Sequence, residues 1–271
     1  MERYRLKNII LLILALTNVF LLSSLLFRHA QKSLSQEQAK AQLTVLFQSE
    51  KYGLELLVDR IPDETPSSAL NLSRDSKEER RLAAFLLGPE LTYESRGGGT
   101  VRYVNDAGTA SFRVGGEFDV LLSGSAPIDD PENYCIRFFR KFSYREPVID
   151  LRDGTGTITA VQYFDKHPVN KCTVAFSFSS GVLQRVSGQH LPDNYTAAES
   201  RDCISARTAL TAFLRYYLEN DVVCHAVTDV DLSFELQSTP AAPLSLTPVW
   251  RLTTDTAQQF YVNAVTGEVS Q

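Results

Sequence analysis

The chain has 271 residues, of which 44% are hydrophobic and 22% are charged, and its formal net charge is −5 at pH 7. This hydrophobic content excludes a mainly disordered chain, and the length allows one large domain or two smaller ones. Because an acidic surface repels phosphate groups, the charge balance argues against nucleic acid as a partner.

Residues 9–27 form an apolar run without a formal charge. A helix of this length covers about 28 Å, roughly the hydrocarbon thickness of a bilayer. Arg3, Arg5 and Lys7, in the preceding residues 1–8, predict a cytoplasmic N-terminus. The run ends in Leu-Leu-Phe-Arg-His, whereas a cleaved signal peptide would end in small residues. We therefore expect an uncleaved, single-pass anchor in the cell membrane, with the bulk of the chain extracytoplasmic.

Polar residues inside the predicted anchor mark a possible contact with another helix. Leu11, Ala15, Asn18, Leu22 and Leu25 step by four and three residues and form one seam along the helix. A buried amide in hydrocarbon is costly unless another helix satisfies it. Two interpretations stay open: lateral association with a partner's transmembrane helix through this seam, or a plain anchor that tolerates one polar residue.

Residues 35–122 are predicted to form a first extracytoplasmic α+β domain. Ser35 is a suitable N-cap for a helix that ends at Gly53, and LELLVDRIP alternates as a strand does. A polar loop then leads to KEERRLAAFLLG, a second helix that Gly88 and Pro89 terminate. The short runs ELTYES, TVRYVN, TASFRV and EFDVLL follow, separated by glycine-containing turns, and predict an antiparallel meander.

The polar, proline-containing residues 123–131 are the best candidate for an internal boundary. Residues 131–271 are then predicted to form a second extracytoplasmic α+β domain. A helix begins at Pro131, the extended runs TITAVQYFD, CTVAFSFS and VLQRVSG follow, and a helix over about 201–220 precedes the last strands. A helix followed by three or four antiparallel strands thus occurs three times, which predicts an α+β architecture with helices on one face of antiparallel sheets.

No motif in the sequence predicts an enzyme. The glycine-rich stretch RDGTGT lacks the lysine and the following helix of a P-loop, and no second Asp-Thr-Gly supports an aspartic protease. No GxSxG elbow accompanies the histidines, and we expect His167 and His190 to lie in exposed loops. No cysteine or histidine spacing resembles a zinc site. We therefore expect no catalytic residue, no cofactor, no metal and no small-molecule substrate.

Four cysteines, Cys135, Cys172, Cys203 and Cys224, lie in the second half of the chain. In an extracytoplasmic compartment disulfides persist, and four cysteines allow three pairings. If residues 203–220 are helical, Cys203 and Cys224 are about 27 Å apart by helical rise, which is beyond disulfide reach. Buried thiols are an equally good interpretation, because cysteine is often a small core residue.

The C-terminal residues carry the most specific pattern. A helix, ISARTALTAFLRYYLEN, precedes the strands VTDVDLSFELQ, TPVWRL and QFYVNAVTGEV. Trp250 and Leu252 share one face of their strand, and Phe260, Val262 and Ala264 share one face of theirs, so cross-strand apolar pairs hold the hairpin against the helix. This order resembles a PepSY-like unit, in which a helix precedes a hairpin that ends in V-(D/N)-A-x-T-G-(E/K)-V.

The whole chain also resembles the YycH/YycI family of Gram-positive bacteria, and its YycI-like members in particular. The shared features are the short basic N-terminus, the single apolar span, the helix and strand of QEQAKAQLTVLFQSEKYGLELLVDRIP, and the terminal PVWRL and FYVNAVTGEV. The resemblance implies a non-enzymatic accessory protein with a YycI-like, PepSY-like extracytoplasmic part. Such a protein adjusts a two-component sensor histidine kinase that controls cell-wall metabolism, together with a YycH-like partner protein.

Two other functions compete with this interpretation. One is a membrane-tethered PepSY-like module that binds a partner or inhibits a protease. The other is an extracytoplasmic hydrolase, which would need a deep cleft lined by a histidine and an acid.

Overall fold

A computed structural model describes residues 17–18, 37–38, 40–49, 51–59, 61–124, 128–198, 202–239 and 242–271. The predicted anchor over residues 9–27 lies outside this part of the chain except for Thr17 and Asn18, which are helical and exposed. None of the helices among the described residues is long and apolar enough to span a membrane.

The described residues have the predicted α+β class. Three helices, α1 (Ser76–Leu87), α2 (Pro131–Lys141) and α3 (Ala206–Glu219), and a helical segment over residues 40–47 pack on the strands. The strands of the described residues are β1 (Glu55–Leu56), β2 (Leu70–Ser73), β3 (Thr92–Ser95), β4 (Val101–Asn105), β5 (Gly108–Phe112), β6 (Glu117–Leu122), β7 (Tyr144–Arg152), β8 (Thr155–Phe164), β9 (His167–Ser179), β10 (Val182–Gln189), β11 (Asn194–Ala197), β12 (Ala226–Thr239), β13 (Ala242–Thr254), β14 (Gln259–Asn263) and β15 (Val269–Ser270).

The described strands hydrogen-bond into one large mixed sheet. Its main path runs β11-β2-β13-β12-β9-β10-β6-β5-β4-β3, and β8 joins β7 to β9 beside it. Antiparallel pairing dominates, but β12 runs parallel to β9, with Phe234 opposite Val169, and parallel to β1. The β12–β9 contact therefore connects two parts of the sheet that carry separate helices.

The first part of the sheet, β3 to β10, packs its inner face against α1 and α2. Asp75 caps α1 by accepting a hydrogen bond from the backbone N–H of Lys77 at 2.9 Å. Pro131 lies in the first turn of α2, where a missing N–H has no cost. Phe138 of α2 is fully buried, and its ring lies 5.0 Å from that of Phe176 on β9. Apolar side chains of both helices and these strands form one hydrophobic cluster.

The second part packs the helical segment 40–47 and α3 against β12, β13 and β14. Trp250 is fully buried and donates its indole N–H to the carbonyl of Ile204 at 2.9 Å, just before α3 begins. Trp250 lies opposite Val262 in the ladder, and Leu252 lies opposite Phe260. The predicted pairing of apolar residues in the C-terminal hairpin is therefore present, with α3 lying over it.

Residues 123–131, predicted as a boundary between domains, connect elements of one hydrophobic cluster. On the N-terminal side of this segment β6 pairs with β10 from its C-terminal side, with Val120 opposite Val186. Leu82 of α1 and Phe138 of α2 belong to the same cluster. Strand pairing over a long sequence separation thus joins the segments on the two sides of residues 123–131.

Three strands lie where the sequence pattern predicts none. β2 lies in the predicted polar loop, and β11 and β7 lie in stretches without strong alternation. β2 is held by its neighbours, because it pairs with β11 on one side and with β13 on the other. β7 is exposed along most of its length and depends on pairing with β8. In each case the pairing partner, rather than the strand's own hydrophobic pattern, determines the extended conformation.

Candidate functional site

The seam predicted in the anchor lies mostly outside the described residues. Leu11, Ala15, Leu22 and Leu25 lie outside them, and only Asn18 lies within. The described part of the chain also contains no group of three or more His, Cys, Asp or Glu side chains that could hold a metal ion. The candidates that it does contain are a groove on the sheet surface, a buried polar centre and an acidic pocket.

One face of strands β4, β5, β6 and β10 is open to solvent. Alternate residues of these strands point into the cluster under α1 and α2, so the intervening residues form the opposite face. Arg102, Ser111, Asp119 and Ser187 are successive cross-strand neighbours on that face, and each is partly exposed. The strand register thereby places charged and hydroxyl side chains in one row across the sheet.

A groove of about 630 Å³ lies on this open face, and we call it the arginine groove. Its volume is within the range usual for ligand sites. The charged residues of its lining are Arg96, Arg102, Arg113, Glu117, Asp119 and Arg185. Since the chain as a whole is acidic, a surface with more arginines than acids is a local exception that attracts anions.

Two hairpin turns build one end of the arginine groove. The backbone N–H of Arg96 donates to the carbonyl of Thr100 in the β3–β4 turn, and that of Arg113 closes the β5–β6 turn. The turns touch: Gly99 has a φ of +75°, and a Cβ there would lie 2.3 Å from Cγ2 of Val114. A glycine is needed at this position both for the backbone conformation and for the close approach.

The four arginines of the groove differ in their partners. Nε of Arg185 lies 2.6 Å from Oδ1 of Asp119, and this hydrogen bond and charge raise the pKa of Arg185. Arg96 forms an ion pair with Glu94 at 2.7 Å. Arg102 donates only to the hydroxyl of Ser111, at 3.3 Å. Among the described residues, neither Arg102 nor Arg113 has a carboxylate within ion-pair distance, so both charges are available to a ligand.

A buried polar centre lies beneath α1, around His190. This residue is only 8% exposed, so the prediction of an exposed loop histidine was wrong. Nε2 of Gln162 lies 3.0 Å from Nδ1 of His190, while Oε1 of Gln162 accepts the backbone N–H of Leu191 at 2.7 Å. This second bond fixes the orientation of the amide, so its nitrogen must donate to the imidazole. No local pattern indicates this burial, because the residues that enclose His190 come from distant strands and from α1.

The imidazole is consequently arranged as a bridge between the sheet and α1. With Nδ1 accepting, Nε2 of His190 carries the proton and faces Oε1 of Glu78, 3.5 Å away. Glu78 also accepts a hydrogen bond from Arg81 at 2.6 Å. The neighbouring imidazole, and more weakly Arg81, keep the pKa of Glu78 below its usual value although burial acts in the opposite direction.

The hydrogen bonding of His190 can be compared with what the hydrolase alternative requires of a catalytic histidine. A cleft of about 250 Å³ does contain His190 and several acids, among them Glu78 and Asp193. A histidine that acts as a general base needs an unprotonated nitrogen directed at the substrate. In His190 the unprotonated nitrogen is occupied by Gln162, and the other faces a carboxylate. The resting geometry therefore serves hydrogen bonding rather than proton abstraction.

Three of the four cysteines are poor candidates for a nucleophile. Cys135, Cys172 and Cys224 are buried thiols. Burial raises the pKa of Cys135 to about 12 and that of Cys172 further still, so both stay protonated. The thiol of Cys172 donates to Oε1 of Gln162 at 3.3 Å, which makes it part of the polar centre. Protonated, enclosed thiols are poor nucleophiles.

A second open pocket has the opposite charge, and we call it the acidic pocket. It measures about 550 Å³, and its lining includes Asp59, Asp63, Glu64, Asp229 and Asp231. Burial, and then the hydrogen bond with Asp231, raise the pKa of Asp229. Arg251 partly neutralises the acids of this pocket, since its Nη2 lies 3.0 Å from Oδ2 of Asp231.

No protein-family model and no curated protein matches the chain. Among solved structures it is similar to an uncharacterized protein from Eubacterium rectale ATCC 33656, with a TM-score of 0.45, 9% identity, and coverage of 80% of this chain and 90% of that chain. It is also similar to the Bacillus megaterium YpeB C-terminal domain, with a TM-score of 0.37, 13% identity, and coverage of 73% and 98%. Neither likeness assigns a function to this chain.

Proposed function

We propose that this protein is a membrane-anchored, extracytoplasmic accessory regulator that acts by contact with other proteins. Its partner is a sensor histidine kinase of a two-component system that controls cell-wall metabolism, joined by a YycH-like protein. The resemblance to the YycH/YycI family and the PepSY-like order of the C-terminal unit support this assignment.

The observation that carries the proposal is the open sheet face with its arginine groove. The helices of the described residues cover the other face of the same strands, and no carboxylate in this part of the chain neutralises Arg102 or Arg113. A surface of this kind favours recognition of a partner. The polar centre, in contrast, is enclosed and hydrogen-bonded within the molecule.

In this proposal the anchor supplies a second contact. Residues 9–27 cross the membrane once, and the seam around Asn18 packs against a transmembrane helix of the kinase. A polar side chain within hydrocarbon gains about 1 kcal/mol from an interhelical hydrogen bond, so the seam adds specificity to an interaction that the extracytoplasmic part also stabilises.

Photo-crosslinking of the full-length chain in intact membranes tests the proposal. A photoreactive residue in place of Ser187, on the open face, should capture a sensor histidine kinase, and one in place of Arg140, an exposed residue of α2, should capture it much less. Capture of a secreted peptidase instead would favour the protease-inhibitory module. Recovery of the chain as a cleaved, secreted species, or no kinase from either position, would contradict the proposal.

The contribution of the seam is tested by Asn18→Leu. The change removes the amide, so co-purification with the kinase should weaken by severalfold, in line with about 1 kcal/mol. Ser24→Leu, which lies off the seam, is the matched control and should leave co-purification unchanged. Equal recovery with both variants would show that the anchor is a plain tether.

A further inference from the structure

We infer that the arginine groove binds an extended, acidic segment of a partner protein, with Arg102 and Arg113 holding two of its carboxylates. This inference rests on the proposed function, because it specifies the chemistry of the partner at the same open face. Nothing in the family resemblance assigns a ligand to these residues.

Two of the four groove arginines have a charge that is available to a ligand. Asp119 already neutralises Arg185, and Glu94 neutralises Arg96. Arg102 and Arg113 are the groove arginines without such a partner among the described residues. An arginine binds a carboxylate through two parallel N–H···O bonds, which a single hydroxyl acceptor such as that of Ser111 does not replace.

The spacing of the two arginines suits an extended peptide. Arg102 on β4 lies opposite Ser111 on β5, and Arg113 follows Ser111 by two residues. Strand spacing and rise per residue then place the two Cα atoms about 8 Å apart, with both side chains in the same groove. In an extended peptide, side chains two residues apart share a face at about 6.8 Å. Two acids in the pattern Glu-x-Glu therefore have a spacing close to that of the two arginine Cα atoms.

The lining of the groove favours an extended chain over a helix. Ser111 and Ser187 contribute hydroxyl groups between the charged residues. Peptide N–H and C=O groups of an extended segment are free to bond these hydroxyls, whereas those of a helix are already paired.

Charge and shape also separate a peptide from an anionic membrane surface. The chain has a formal net charge of −5, so a broad anionic surface is repelled by the molecule as a whole. A narrow segment that lies in the groove meets mainly the local arginines, which outnumber the acids of the lining, because screening limits the reach of other charges to about 8–10 Å.

Binding of a labelled peptide to the full-length protein, in nanodiscs of zwitterionic lipid, tests the inference. The probe is Thr-Glu-Val-Glu-Thr with blocked ends, and Thr-Gln-Val-Gln-Thr is its uncharged match. The double variant Arg102→Gln and Arg113→Gln should weaken binding of the acidic peptide at least about tenfold. The control, Arg140→Gln and Arg215→Gln, removes the same charge from exposed positions on α2 and α3 and should bind like the wild type.

Several outcomes would overturn the inference. These are equal binding of both peptides, equal loss in both double variants, or competition by inorganic phosphate or anionic vesicles at lower concentration than by the acidic peptide. Concentration-dependent self-association that the double variant abolishes would indicate that an acidic surface of a second copy, rather than a segment of another protein, occupies the groove. If the double variant does not fold, the exposed Arg113→Gln alone provides the comparison.

The crosslinking experiment separates this inference from the proposed function. If the wild type does not bind the peptide but the kinase is captured from position 187, the acidic-segment inference fails and the proposed function stands. If the wild type binds the peptide but captures no kinase, the proposed function fails and the groove remains a peptide site.

Discussion

Replacing His190 with phenylalanine tests whether the polar centre stabilises the fold. Phenylalanine keeps a ring between Phe142 and Tyr144, whose centroids lie 5.7 Å and 6.0 Å from that of His190. It removes both ring nitrogens, and with them the acceptor for Gln162 and the contact with Glu78. The change therefore isolates the polar contribution from that of ring packing.

The expected loss of stability follows from the hydrogen bonds that Gln162 and Glu78 retain in the variant. Nε2 of Gln162 keeps only the carbonyl of Phe142, at 3.3 Å, so one buried N–H is left without an acceptor. An unsatisfied buried donor costs about 1–3 kcal/mol. Glu78 keeps Arg81 at 2.6 Å, so its carboxylate does not become isolated. We expect the free energy of unfolding to fall by about 1–3 kcal/mol in total.

Urea unfolding measures this loss. Far-UV circular dichroism follows all elements, and the fluorescence of Trp250, the single tryptophan, follows the second part of the sheet. Coincident transitions would show that both parts unfold together. His225→Phe is the control, because the His225 side chain is 88% exposed and its replacement should change stability by less than about 0.5 kcal/mol. Equal stability of His190→Phe and the wild type would refute the role assigned to the network.

Three further predictions concern single positions. Trp250→Phe removes the indole N–H that donates to a backbone carbonyl at 2.9 Å, and it leaves space in the core. The free energy of unfolding in urea titrations should therefore fall by about 1–3 kcal/mol. A smaller fall than that of a variant at an exposed position would contradict this prediction. Gly108 has a φ of +150°, and a Cβ there would lie 2.1 Å from the carbonyl oxygen of Leu121, so Gly108→Ala should lower the melting temperature far more than an exposed Gly124→Ala. The imidazole of His190 lowers the pKa of Glu78, so its folded value lies below its unfolded one; the stability that the carboxylate contributes is present at neutral pH and lost below about pH 4. The stability difference between wild type and Glu78→Gln should therefore shrink as pH falls, and a constant difference would contradict the assignment.

The local elements of the fold were largely readable from the sequence. Helices α1 and α2 lie where caps and helical spacing place them, with Asp75 and Asp130 accepting N–H groups of the first turn. The meander β3 to β6 and the hairpin around Trp250 are present as predicted. These features depend on residues within one turn or one hairpin, so the short-range periodicity of the sequence is enough to predict them.

The candidate site was not readable in the same way. Arg96 and Arg185 meet in one groove because β6 pairs with β10 across residues 123–131, and no periodic pattern records that pairing. The sequence predicted an exposed loop for His190, because the residues that enclose it are distant in the chain. Glu78, for example, lies 112 positions before it.

The sequence by itself determined the α+β alternation, the positions of α1 and α2 and the apolar faces of the C-terminal hairpin, because each follows from interactions between near neighbours. Only the tertiary structure decided which strands pair, which face of the sheet stays open to solvent and which charged side chains lack an ion-pair partner among the described residues. Those outcomes depend on contacts between distant segments, where many pairings satisfy the same local pattern and close packing selects one.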